Sequence, residues 1–294
     1  MPKVTIIGSS VSGVNLAFNL KGMAPDLDIT LVSEEAYLPY DRRKLPFFLN
    51  GSLKEDELFM FSEKDLQDKG INFLREEKVM SFNPRKKAVS TKDKQVLDYD
   101  ILVVASGVSA FIPDIPGAKK DGVFSLFSLD DFKKFAKYFI SEQVCIFGSG
   151  LAALNLAESI AQKYKIEVKL ISSSPLEVDL NNPQIEALNL EPQEIIGEGQ
   201  VQAVKFTSGK VISACAVIFM DKFQGNTAFL KDSALVLEDK FVVVDQEFRT
   251  NLENVFACGA ACVKAGEAGC MKSWDECIQE SFKTAESVIK NMRG

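Results

Sequence analysis

KVTIIGSSVSGVNLAFNL, residues 3–20, runs an apolar stretch of strand character into a turn at Gly8, Ser9, Ser10 and Gly13, then spaces apolar residues helically through Leu20. QVCIFGSGLAALNLAESIA, residues 143–161, repeats the design: strand residues 143–147, then Gly148, Gly150 and Ala153, then a helix to about Ala161. A strand, a glycine turn and a helix N-terminus aim backbone N–H groups at a pyrophosphate. One such match is weak evidence; two in one chain, each succeeded by a second strand, predict two dinucleotide-binding folds.

The two cradles lead into different segments. The strand DITLVS leads to Glu34, about 20 residues past Gly13, where an acid that bonds the adenosine ribose hydroxyls is expected. The strand IEVKLI leads to Ser172, Ser173 and Ser174, with neither an acid nor an arginine among them. The first cradle reads as a complete ADP site, and the second lacks a reader for the ribose or its 2'-phosphate. Ser10 replaces the middle glycine, and its small side chain still permits close backbone approach.

Composition bounds the rest. At 294 residues, 46% hydrophobic and 26% charged, the chain is a globular protein with room for two domains. Its net charge of -7 and pI near 5.0 argue against nucleic-acid or anionic-membrane partners. No apolar run is long enough to span a bilayer, and Val4 to Gly8 begins too early to come after a signal peptide, so a cytoplasmic protein is expected. The chain has no histidine, which removes Ser-His-Asp and Cys-His hydrolases and most catalytic zinc sites. Its chemistry must rest on carboxylates, lysines, thiols or a bound cofactor.

The order of motifs resembles the two-dinucleotide-fold flavoproteins, the pyridine nucleotide-disulfide oxidoreductases, over essentially the whole chain. The elements are the two cradles, PYDRRKLPFFLNG at 39–51, LDYDILVVASGVSAFIPDIPG at 97–117 and FVVVDQEFRTNLENVFACGAA at 241–261. The resemblance implies an α/β architecture in which a second Rossmann-like domain, 113–245, is inserted into an FAD-binding domain, 1–112 and 246–294. It implies FAD as cofactor, with NAD(P)H as the further nucleotide, and electron transfer to an acceptor protein or small molecule. The implied cofactor-contacting set adds Arg42, Val79, Ala105, Ser106, Gly107, Gly259 and Ala260 to the two cradles and Glu34.

The departures are specific. The family's last element ends in Gly-Asp, whose carboxylate bonds the ribityl chain; here it reads Gly259-Ala260. A lost charge-assisted hydrogen bond of this kind costs about 1.5–3 kcal/mol. The peroxidase, oxidase and coenzyme A-disulfide reductase branch carries a histidine and a redox cysteine where this chain has Val11 and Arg43. The loop is also similar to the ferredoxin, rubredoxin and nitrite reductase branch, whose flavin-contacting arginine matches Arg42; Arg42, Arg43 and Lys44 would stabilise an anionic reduced flavin or stand solvated. Residues 172–194 are rich in turn formers where relatives place a helix. The family's interface domain would come after Gly294, so a homodimer is expected to use another surface. The alternative reading is a flavin-binding subunit, or a degenerate dinucleotide module of a larger complex, without its own NAD(P)H turnover.

Four of the six cysteines, Cys258, Cys262, Cys270 and Cys277, fall within 20 residues, at a spacing that matches no common zinc or iron–sulfur pattern. Buried thiols, a redox pair beside the flavin and a metal site are the three readings, the first favoured because Cys is often a small buried hydrophobe. Cys277 lies on a helix expected to aim its N-terminus at the flavin. Trp274 and Phe282, eight apart, are expected to share the apolar face that packs that helix on the first domain.

Overall fold

A computed structural model describes residues 1–173 and 180–293. It forms two compact units, Met1–Asp41 with Phe59–Val108 and Gln224–Gly294, and Arg42–Leu58 with Ser109–Phe223. Each unit is an α/β layer structure built on a five-stranded parallel sheet, and each carries a three-stranded antiparallel meander.

In the first unit the strands lie in the order Val255–Ala257, Ile101–Val104, Lys3–Ile7, Asp28–Val32, Ile71–Leu74. All neighbours run parallel. Sequence order turns back between Lys3–Ile7 and Ile101–Val104, which makes the carboxyl end of those two strands the switch point where such sheets bind ligands. Ile6, Leu31 and Val103 are fully buried, as continuous Val/Ile/Leu runs require when both faces are covered. Burying each such side chain stabilises by about 1.5–3 kcal/mol. One face carries the helices Val11–Met23 and Trp274–Arg293; the other packs on Phe82, Val89, Leu230 and Val242.

The second unit's sheet runs Ile185–Asn189, Val168–Ser172, Val144–Phe147, Ala216–Phe219, Val123–Phe124. Its helix Leu151–Tyr164 buries Ala153, Leu156, Ala157 and Ile160. Where relatives place a helix, residues 185–189 form a parallel strand against Val168–Ser172. Ser174, part of the expected reader position, lies outside the described residues.

Two expectations need redrawing. The contacts group Arg42–Leu58 with the second unit, because Asn50 bonds Ser159 and Gln162 and Lys133 pairs with Glu55 at 2.7 Å. They group 224–245 with the first, because Phe241–Val244 pairs with Cys262–Lys264. The terminal helix, moreover, does not pack through Phe282. Its buried stripe is Cys277, Ser281, Thr284, Ala285 and Val288, whose small size allows close approach, while Ile278 and Phe282 are exposed at 37% and 47%. No helix among the described residues is long and apolar enough to cross a membrane.

Candidate functional site

Gly8 ends the first strand at φ +107, a conformation that favours glycine. A Cβ there would stand 2.2 Å from the Ala105 carbonyl oxygen, and one on Gly13 would stand 1.8 Å from the Gly8 carbonyl oxygen. Gly8 donates its N–H to Val32, and Ala105 donates to Ile7, both at 2.8 Å. The helix therefore starts directly against the strand end. Ser10 is its N-cap, with extended backbone and its carbonyl accepting from Val14. The first turn's N–H groups precede any intrahelical partner and point out beyond Ser9 and Ser10.

Two further turns close on this one. Ala105, Ser106 and Gly107 come directly after the neighbouring strand; Gly107 sits at φ +67. Asn226 pins the turn, its side chain donating to the Ser106 carbonyl and its N–H to that of Gly107. The Ser106 hydroxyl oxygen is buried with no partner. Gly259, at φ +70, lies so close to the helix that a Cβ would meet the Ser12 hydroxyl at 2.0 Å. Ala260 is half-buried beside it. Glu34 lies exposed beyond the second strand, ion-paired with Lys78 at 2.8 Å, and Val79 is next in the chain, buried and paired with Thr91. These residues thus gather at the carboxyl edge of one sheet. The glycine cradle that side chains would fill, and the orphan hydroxyl of Ser106, fit a dinucleotide.

Beside the 258–262 turn lies a half-buried polar cluster. Gly259 donates its N–H to Glu280 at 2.9 Å, and Lys272 donates to both Glu280 carboxylate oxygens at 2.7 and 2.8 Å. The Cys262 thiol donates to the Gly259 carbonyl at 3.4 Å. Burial pushes the Cys277 thiol up, against the lowering influence of the Ser12 side chain and the Ala260 backbone. Burial pushes the Cys262 thiol up to about 12 and Cys258 well above its usual value, so both are held as neutral thiols. Burial works to lower the Lys272 pKa, and the adjoining Glu280 carboxylate works to raise it. No group of three or more metal-ligating side chains forms among the described residues. Asn226, Lys272 and Glu280 carry no mark in the sequence, since no local pattern ties them to turns so distant in the chain.

In the second unit a Cβ on Gly148 would stand 2.7 Å from that of Ala153, whereas Gly150, the helix N-cap, has open space around it. Ser172 is buried and Ser173 exposed at the end of the next strand. Arg42 also belongs to this unit: it donates to the Phe127 carbonyl at 2.7 Å and lies 5.2 Å from the centre of that ring.

The family model for the pyridine nucleotide-disulphide oxidoreductases matches residues 2–281. The chain belongs to that family. It is 25% identical over 282 residues to an NADH oxidase of Methanocaldococcus jannaschii, covering 87% of this chain but 62% of that protein. An NADH-rubredoxin oxidoreductase of Clostridium acetobutylicum is 25% identical over 259 residues, covering 87% and 67%. The solved covalent putidaredoxin reductase–putidaredoxin complex superposes with a TM-score of 0.85 at 19% identity, covering 98% of this chain and 75% of that one. This pyridine nucleotide-disulphide oxidoreductase thus has the family's two-dinucleotide fold and spans under two thirds of the length of the M. jannaschii relative.

Proposed function

We propose that this chain is an FAD-dependent oxidoreductase that passes electrons between NAD(P)H and a protein or small-molecule acceptor. The observation that carries this reading is the meeting of three turns, at Gly8–Gly13, Ala105–Gly107 and Gly259–Ala260, at the switch point of the first sheet. The first helical turn after Ser10 would bind the pyrophosphate, Glu34 the ribose hydroxyls in exchange for Lys78, and Val79 would line the same end. Ser106 would offer its unpaired hydroxyl, and Gly259 would approach the ribityl chain. Gly148, Gly150 and Ala153 would receive the nicotinamide nucleotide. Bound flavin supplies the redox chemistry, so the chain itself need provide only orientation and electrostatics and no general base.

Relatives named for NADH and rubredoxin, and one solved with putidaredoxin, support an acceptor protein as partner. Six free cysteines support a reducing, cytoplasmic location. A homodimer is the oligomeric form to test. The second reading, a flavin-binding subunit without NAD(P)H turnover, is favoured by Ala260 and by a second cradle that ends in Ser172 and Ser173.

The test is the visible absorption spectrum before and after anaerobic addition of NADH, then NADPH. Flavin bands that bleach with either nucleotide are the expected result. Bands that persist would move the conclusion to the subunit reading, and a colourless protein that takes up no FAD would overturn both.

A further inference from the structure

We propose that Lys272 and Glu280 are positioning residues for the flavin site, locking Gly259 in place where the chain lacks an acid at position 260. The inference rests on the flavin reading above. Gly259 is held through the peptide groups on both its sides: its N–H donates to Glu280 at 2.9 Å, and its carbonyl accepts from the Cys262 thiol at 3.4 Å. Its Cα lies against Ser12, in the first turn of the helix that starts the cradle. Any shift of Gly259 is therefore passed to the backbone expected to meet the pyrophosphate.

Glu280 could not hold this position alone. Its side chain and that of Lys272 are 17% and 16% exposed, so each charge requires the other. Lys272 bonds both carboxylate oxygens and lies 3.8 Å from the Cys262 sulfur, touching both groups that grip Gly259. A buried ion pair is a poor source of net stability, since packed apolar groups often do as well. What the pair supplies is direction, one oxygen aimed at one N–H. Glu280 comes from the second turn of the terminal helix, whose small buried residues let it approach the cradle helix closely.

The test compares FAD affinity, by titrating FAD into apoprotein and monitoring quenching of its fluorescence, in wild type, K272M, E280Q, E280A and K272M/E280Q. K272M leaves a buried carboxylate unpaired and should weaken FAD binding by roughly tenfold or more. E280A, which removes the acceptor, should do the same. E280Q keeps an acceptor for the Gly259 N–H and should lose less, about threefold. K272M/E280Q, with neither charge, should bind better than K272M, and the visible circular dichroism of its bound flavin should return toward that of wild type. Wild-type binding of FAD with K272M and E280A matching it within twofold would overturn the proposal. So would a double variant no better than K272M. If K272M does not fold, the comparison of E280A with E280Q decides. Wild type that takes up no FAD would overturn the flavin reading itself, a result distinguishable from the others.

Discussion

The two cradles share a sequence design but differ in how much freedom they leave. In the first, glycine is compulsory: Gly8 is at φ +107 and its surroundings are backbone atoms, which cannot swing away. In the second, the φ of Gly148 lies outside the left-handed region, its nearest neighbour is the methyl of Ala153, and Gly150 faces open space. A turn enforced by backbone contact survives only if its residues do. A turn with room around it can be kept by fold alone, so its glycines say less about binding.

The sharpest way to break this comparison is substitution at the two strand ends. Gly8→Ala should destabilise by at least about 3 kcal/mol, combining the positive φ with overlap against the Ala105 carbonyl, and should abolish FAD uptake. Urea unfolding and FAD titration measure both; near-wild-type stability would refute the enforced-turn account. A smaller effect is expected in the second cradle. Gly148→Ala should cost about 1–2 kcal/mol, because a helix methyl must give way. Gly150→Ala should leave the melting temperature nearly unchanged while weakening the response to NADH; if NADH bleaching is unaffected, Gly150 does not face the nucleotide. The smallest effect is at the acid that only the first cradle has. Glu34→Gln breaks an exposed ion pair worth no more than about 1 kcal/mol, so stability should hold while FAD affinity falls about three- to tenfold. Unchanged affinity would remove Glu34 from the ribose site.

Much of the fold is legible because the deciding signals are local. A strand-length apolar run, a glycine turn and a helical period lie within 20 residues, and each cradle folds as its own pattern dictates. The terminal helix is harder to read because Trp274 and Phe282 draw attention by size, whereas its buried face is made of Cys277, Ser281, Thr284 and Ala285. Residues that bury through small size carry little hydropathy signal. The loop 39–51 resembles flavin-contacting loops, yet its Asn50 bonds Ser159 and Gln162 and its Arg42 bonds Phe127, residues far along the chain with no pattern to announce them. The Asn226 bonds to Ser106 and Gly107 and the grip of Glu280 on Gly259 are equally non-local.

The place of Val255–Ala257, at the edge of the first sheet beside Ile101–Val104, also bears on how the protein is made. Lys3–Ile7 belongs to a sheet whose edge strand, Val255–Ala257, is synthesised some 250 residues later. On the ribosome, the segment Ser109–Phe223 emerges while the earlier unit still lacks an edge strand, its Asn226 clamp and its covering helix. The unit begun first is therefore finished last. Until the helix Trp274–Arg293 arrives, the apolar face awaiting Ala285, Val288 and Ile289 is uncovered, and nascent chains with such surface exposed are aggregation-prone.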